Sequence, residues 1–146
     1  MKYALLCLYE TNSDNIGREV ICHQSIVRYA YQRGYSCFLK NIDTKVTDRD
    51  RYDMIEGALR EFDRVVYLEP HMLVRFDTPD IFKIVPESKI GLFESSGCFP
   101  EKKRSGGLKA LYDGSVIVAS KQHVGFFSRD PTESFCLQVF NLPHKF

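Results

Sequence analysis

The chain has 146 residues, a size typical of one globular domain and large enough to enclose a hydrophobic core. Its hydrophobic fraction of 44% and charged fraction of 27% are ordinary for a folded protein. A formal net charge of +1 gives no electrostatic case for a nucleic-acid or membrane-surface partner. No apolar run is long enough to span a bilayer, so we expect no membrane span.

The cysteines are odd in number, and none of them forms a Cys-x-x-Cys pair; they are Cys7, Cys22, Cys37, Cys98 and Cys136. This spacing argues against a disulfide framework and against a structural zinc site. The N-terminal segment lacks a small-residue cleavage site and is typical of a first strand rather than of a signal peptide. Together these features predict a reducing, cytoplasmic setting.

Apolar periodicity predicts alternating strands and helices in the first half of the chain. Strands are expected at residues 3–9, 36–42 and 65–68. Helices are expected at about residues 18–33, where Val20, Val27 and Tyr31 recur near helical spacing, and from Thr47 onward. Such β-α-β units cross over right-handed. The pattern predicts a single Rossmann-like α/β domain with a mostly parallel central sheet flanked by helices.

The second half predicts a short helix after Thr78-Pro79-Asp80, strands at 90–93 and 116–119, and a brief helix capped by Ser120 with His123 on its surface. Residues 94–107 form the one long loop, which carries the basic run 102–104. Such a run is typical of a solvated loop tip. The alternative is a basic loop that covers a phosphate-bearing ligand.

The most informative feature is the end of the strand at 65–68, where Glu69-Pro70-His71 follows four apolar residues. Proline donates no backbone hydrogen bond, so the strand ladder stops there. In parallel α/β sheets, ligands bind just beyond the carboxyl ends of the strands. A carboxylate and an imidazole in that place can both coordinate a divalent cation. The alternative is that Glu69 and His71 are merely polar strand-end residues.

The run FDRVVYLEPHMLVRFDTPDIF, residues 62–82, resembles the central motif of family 8 glycosyltransferases and glycogenin-like proteins. In that family a strand ends in Asp-x-Asp, and an apolar run and an acidic, proline-containing helix start follow. The segment 112–118 resembles the family's later aromatic-Asn-x-Gly-Val strand. Thr11-Asn12 resembles its nucleotide-binding turn, and 142–146 its Leu-Pro-x-x-aromatic segment. The similarity follows the chain order across nearly the whole sequence.

The resemblance implies a GT-A fold, a nucleotide-sugar donor (usually a UDP-sugar) and a divalent metal, Mn²⁺ or Mg²⁺. It places the metal on Glu69 and His71. It places the base and ribose near Thr11 and Asn12, and the donor sugar or acceptor near Asp113 and Glu133. In such a site two ligands beyond a strand end hold a hard cation that bridges the diphosphate.

Several positions depart from the family pattern. The aromatic residue that packs on the nucleotide falls on Asn15, and the lysine that contacts the diphosphate falls on Asp53. An anion beside a diphosphate is repulsive unless Arg49 or Arg51 compensates. We therefore take Asn15 and Arg51 as nucleotide-binding candidates. The family's second metal-binding histidine falls beyond Phe146, so residues 1–146 correspond to a GT-A-like nucleotide-sugar-binding domain whose C-terminal part is missing.

The sequence thus predicts a metal-dependent hexosyltransferase that moves a sugar to a glycan, a protein or a small-molecule acceptor, with homo-oligomerisation left open. The alternative is a catalytically degenerate GT-A-like binding or partner module. A nucleotidyltransferase ranks last, because it requires a glycine-rich, basic phosphate loop after the first strand and residues 10–17 have neither property.

Overall fold

The computed structural model describes residues 1–94, 112–128 and 139–141. Within these ranges the elements follow in the order β1 (Tyr3–Glu10), α1 (Ile16–Arg33), β2 (Ser36–Ile42), α2 (Asp48–Leu59), β3 (Arg64–Leu68), α3 (Ile81–Ile84), β4 (Ile90–Glu94), β5 (Tyr112–Ser120) and β6 (Val139–Asn141). A 3-10 helix, Lys121–His123, follows β5. The alternation of strands and helices predicted for the first half is confirmed.

The described strands form one mixed sheet in the order β2-β1-β3-β5-β4-β6. β1 pairs in parallel with β2 and β3, and β4 pairs in parallel with β6. β5 is antiparallel to both of its neighbours, β3 and β4. The expectation of a mostly parallel sheet is therefore only partly right. Consecutive strands such as β4 and β5 can pair antiparallel without a crossover helix, which the strand–helix alternation does not reveal.

Helices cover both faces of the sheet. On one face the β1 side chains Leu6 and Leu8 belong to the same buried cluster as Ile55 and Leu59 of α2. On the other face Leu5 and Cys7 share a cluster with Ile26 of α1. Successive strand residues alternate between faces. Two right-handed crossovers that leave β1 and β2 in opposite directions must place α1 and α2 on opposite faces.

The ends of the helices follow local sequence signals. Thr47 caps α2, and its hydroxyl accepts from the Asp50 N–H while the Asp50 carboxylate accepts from the Thr47 N–H at 2.8 Å. This reciprocal capping box satisfies two N–H groups that have no partner inside the helix. Gly34 ends α1 with φ of +68°, a conformation that glycine adopts without steric cost. α3 begins at Ile81 after the cap Asp80, slightly later than Thr78-Pro79 predicts.

Four expectations about exposure are wrong. Val20, Val27 and Tyr31 of α1 lie on its outer face, with 46%, 45% and 86% of their surface exposed. His123 is buried rather than on a helix surface, because its Nδ1 accepts a hydrogen bond from the Ser120 N–H at 3.0 Å and holds the ring inward. These positions depend on tertiary packing, which helical spacing alone does not determine.

Cys7 and Cys22 are buried free thiols, and Cys37 is a partly buried one. Burial raises the pKa of the Cys7 thiol to about 12, so it stays protonated. The predictions for Cys98 and Cys136 lie outside the described residues. No helix in the described ranges is long and apolar enough to cross a bilayer.

Candidate functional site

The backbone just beyond β3 is fixed by its antiparallel neighbour. β3 ends at Leu68, and the Glu69 N–H donates to the Ser115 carbonyl of β5 at 2.9 Å. Val65 and Tyr67 of β3 face the α2 side of the sheet. Strand alternation therefore directs the Glu69 side chain toward α2 as well. The interruption predicted at Pro70 follows at once, since residues 69–80 contain neither helix nor strand.

Glu69 and His71 face each other at this end of the strand. The Glu69 Oε2 atom lies 3.4 Å from the His71 Nε2 atom. The Glu69 side chain is 24% exposed and the His71 side chain 63%, so the pair lies at the surface rather than beneath the sheet. The structure therefore brings the two predicted metal ligands together, with the imidazole open to solvent.

A third side chain from α2 joins this pair. The Arg51 Nη1 atom donates to the Glu69 Oε1 atom at 2.5 Å and lies 3.4 Å from the Gly114 carbonyl oxygen. Its Nη2 atom donates to the Asp48 carboxylate. Burial acts to lower the pKa of Arg51, but the carboxylates of Glu69 and Asp48 outweigh it and the net shift is upward. Arg51 is thus a permanent cation within the candidate metal site.

Sequence reasoning did not find the parts played by Asp48 and Gly114. Asp48 and Arg51 are three residues apart in the first turn of α2, a spacing at which helical side chains are neighbours. That spacing is the signal that could have revealed the pair. A Cβ at Gly114 would lie 3.3 Å from the Arg51 Nη1 atom, so the glycine gives the guanidinium close access to the backbone of β5.

The anion that falls at the family's lysine position turns away from this cluster. Asp53 pairs with Arg49 at 2.8 Å, and both side chains are more than half exposed. Arg49 also lies 3.5 Å from the Ser128 carbonyl oxygen. Of the two arginines considered as replacements for the lysine, Arg51 faces Glu69 and Arg49 is engaged elsewhere.

The predicted nucleotide-binding turn lies at the carboxyl end of β1. The Thr11 N–H donates to the Ile42 carbonyl at 2.9 Å, and its hydroxyl lies 2.9 Å from an Asp43 carboxylate oxygen. Asn12 is exposed. Asn15 precedes α1 and is also exposed, and its side chain makes no capping hydrogen bond. Because β1 and β3 are parallel neighbours, this turn and Glu69 lie at the same edge of the sheet.

The two predicted catalytic residues are only partly located. Asp113 lies in β5, two residues before Ser115, whose carbonyl accepts the hydrogen bond from the Glu69 N–H. The side chain of Asp113, Glu133, the basic run 102–104 and the segment 142–146 all lie outside the described residues. No direct contact joins Thr11, Asn12 or Asn15 to the Glu69 cluster among the described hydrogen bonds and ion pairs.

Glu69 and His71 suit a divalent ion as a two-ligand site. Carboxylate oxygen and imidazole nitrogen both bind Mn²⁺, and their facing atoms are at the surface. The part of the chain that the structure describes contains no group of three or more His, Cys, Asp or Glu side chains able to hold a metal. Ligands other than the described side chains, such as water, would therefore have to complete the coordination.

No family model matches the sequence, and no curated protein matches it. Solved structures do resemble the fold. A glycosyltransferase involved in glycosylation of the major capsid of PBCV-1 has a TM-score of 0.63 at 11% identity, covering 88% of this chain and 64% of that one. The glycosyltransferase GlyE of Streptococcus pneumoniae TIGR4 has a TM-score of 0.53 at 12% identity, covering 97% and 45%.

A third match is a mutant Drosophila β-1,4-galactosyltransferase 7 in complex with manganese, UDP-Gal and xylobiose. Its TM-score is 0.50 at 11% identity, covering 99% of this chain and 66% of that one. This chain thus spans less than two thirds of the length of the first of these structures. Together the matches define the class of fold, which is the GT-A-like α/β fold of glycosyltransferases. The family 8 or glycogenin-like assignment stays a prediction.

Proposed function

We propose that this chain is the nucleotide-sugar-binding part of a metal-dependent glycosyltransferase that uses a UDP-sugar donor. The fold likeness to glycosyltransferases supports the reaction class. The observation that carries the proposal is the 3.4 Å approach of Glu69 Oε2 to His71 Nε2, at the edge of the sheet where α/β folds bind ligands.

The proposed roles follow the positions of the side chains. Glu69 and His71 hold Mn²⁺ or Mg²⁺, which when bound neutralises the negative charge of the nucleotide diphosphate leaving group. Thr11, Asn12 and Asn15 contact the base and ribose from the end of β1. Asp113 and Glu133 orient the donor sugar or the acceptor, which is a glycan, a protein or a small molecule. The free cysteines support a reducing compartment such as the cytoplasm.

Calorimetric titration of UDP into the protein with Mn²⁺ or with EDTA tests the metal role. We expect Mn²⁺ to tighten UDP binding by about tenfold or more, because a bridging cation binds protein and diphosphate together. Glu69→Gln and His71→Ala should remove this tightening. Glu61→Gln, which alters an exposed carboxylate, should leave it intact. Equal UDP affinity in Mn²⁺ and in EDTA would falsify the metal assignment.

A binding module without turnover is the second candidate, and the Arg51–Glu69 ion pair favours it. A guanidinium on the Glu69 carboxylate supplies positive charge that a metal otherwise supplies. Release of UDP from a panel of UDP-sugars in the presence of Mn²⁺ separates the candidates. Turnover that Glu69→Gln abolishes excludes the binding module, whereas UDP binding without turnover of any donor excludes the transferase.

A further inference from the structure

The Glu69 carboxylate is shared between two neighbours of different kind. Oε1 accepts from Arg51 at 2.5 Å, while Oε2 faces the His71 imidazole at 3.4 Å. A metal ion that binds between Glu69 and His71 meets Oε2 directly, whereas Oε1 already has the guanidinium as its neighbour. It also has to bind close to a permanent positive charge.

Arg51 is not free to swing away from this position. Its side chain is only 17% exposed, and its guanidinium is also held by Asp48 and by the Gly114 carbonyl oxygen. These contacts come from α2 and β5, two elements that pack against β3 or pair with it. Movement of Arg51 would leave its charge without its partners in a partly buried place, which is unfavourable.

The net charge of the cluster formed by Asp48, Arg51, Glu69 and His71 changes sign when a divalent metal ion binds. Asp48, Arg51 and Glu69 together carry one net negative charge, and an imidazole that binds a metal does so as the neutral form, which adds none. A divalent ion makes the net charge of the cluster positive, whereas a divalent ion that arrives with a nucleotide diphosphate leaves the net charge negative, because the diphosphate brings at least as much negative charge as the ion brings positive charge. In an environment of effective dielectric constant about 20, repulsion between a divalent ion and a guanidinium a few ångströms away changes affinity by more than tenfold.

We propose that Arg51 makes metal binding at Glu69 and His71 conditional on the nucleotide diphosphate. This proposal rests on the proposed function and adds a regulatory residue to its site. Arg51 hydrogen-bonds one Glu69 oxygen and its positive charge repels the bare ion, and the diphosphate offsets that repulsion by contributing negative charge. By thermodynamic linkage, the factor by which UDP tightens Mn²⁺ equals the factor by which Mn²⁺ tightens UDP.

The test measures free Mn²⁺ by electron paramagnetic resonance in titrations with and without UDP, which requires no catalytic turnover. In Arg51→Gln we expect bare Mn²⁺ to bind about tenfold more tightly than in the wild type, with the UDP–Mn²⁺ coupling factor reduced by a similar amount. Arg51→Met provides a second neutral variant that keeps the apolar stem. Arg51→Lys retains the charge and should keep bare Mn²⁺ binding weak.

Arg49→Gln is the matched control, since it removes the same charge from the same helix but from an arginine that pairs with exposed Asp53. Melting temperatures confirm that each variant is folded. If Mn²⁺ binds with UDP in the wild type but the Arg51 variants match Arg49→Gln, only the role of Arg51 is refuted. If the wild type binds no Mn²⁺ even with UDP, the metal site of the proposed function fails and this inference fails with it.

Discussion

Glu56 of α2 accepts two backbone hydrogen bonds from the turn after β5: its Oε1 accepts from the Phe127 N–H at 2.8 Å, and its Oε2 accepts from the Gly125 N–H at 2.9 Å. Glu56 is 8% exposed, and the Phe127 ring is buried in the same core cluster as Ile55. The Glu56 carboxylate thus links the turn after β5 by hydrogen bonds to α2, the helix that carries Arg51.

We expect Glu56→Ala to lower the free energy of unfolding by about 2–4 kcal/mol, because the buried Phe127 N–H and the partly buried Gly125 N–H hydrogen bonds lose their charged acceptor. Urea denaturation followed by circular dichroism measures the change. Glu61→Ala removes an exposed carboxylate just after the same helix and should change the value by less than about 0.5 kcal/mol. Equal effects of the two substitutions would contradict the role of the Glu56 hydrogen bonds.

Substitution by alanine should change the stability of the protein in opposite directions at Gly91 and at Gly57. A Cβ at Gly91 of β4 would lie 2.7 Å from Val85 Cγ2 and 3.1 Å from Val118 Cβ, whereas a Cβ at Gly57 of α2 meets nothing within 4 Å. Gly91→Ala should therefore destabilise the protein by about 1–3 kcal/mol through overpacking. Gly57→Ala should stabilise it by about 0.5–1 kcal/mol, because alanine loses less backbone freedom in a helix.

The same denaturation experiment compares both glycine variants with the wild type. A Gly91→Ala protein as stable as the wild type would show that Val85 can move aside without cost. Since Val85 belongs to the buried cluster on the α1 side of the sheet, the Gly91→Ala variant also tests how tightly that side is packed.

Because His123 is buried, we expect its titration to make the protein less stable in acid. Burial lowers its pKa from the ordinary value of 6.5, so below that pH the unfolded chain binds more protons than the folded protein. The free energy of unfolding should therefore be unaffected by this group above pH 6.5 and fall as the pH decreases below it. Protonation of Nδ1 also removes the acceptor for the Ser120 N–H.

The variant His123→Asn retains a side-chain acceptor but does not titrate in this range. We expect the stability of the wild type relative to this variant to decrease as the pH is lowered from 7 toward 5, measured by urea denaturation at each pH. Burial also lowers the pKa of His23, but that histidine is present in both proteins and cancels in the comparison. Parallel pH profiles would contradict the assignment to His123.

The position of the candidate site could be predicted from the sequence because its signals are local. The apolar run 65–68 is followed by Glu69-Pro70-His71, and recognising a strand that ends just before a carboxylate, a proline and an imidazole needs no knowledge of distant residues. The facing of Glu69 and His71 then follows from two residues that are close in the chain. The capping box of Thr47 and Asp50 was predictable for the same reason.

What the sequence does not reveal is which side chain crosses from one element to another. Arg51 reaches Glu69 across eighteen positions, and the charge pattern of α2 does not distinguish it from Arg49, which faces solvent. Arg64 is a similar case, since this charged first residue of β3 is buried and donates to the Val85 carbonyl at 2.7 Å. Such contacts depend on how α2 and α3 pack, which residue spacing alone leaves open.

The insertion of β5 beside β3 also has a consequence for how the protein is made. β3 ends at residue 68, but the strand that pairs with its second edge begins at residue 112. At ordinary rates of translation the ribosome takes on the order of seconds to synthesise the intervening chain. For that interval the nascent polypeptide presents an apolar strand with an unpaired border, which is the kind of surface that chaperones shield from self-association.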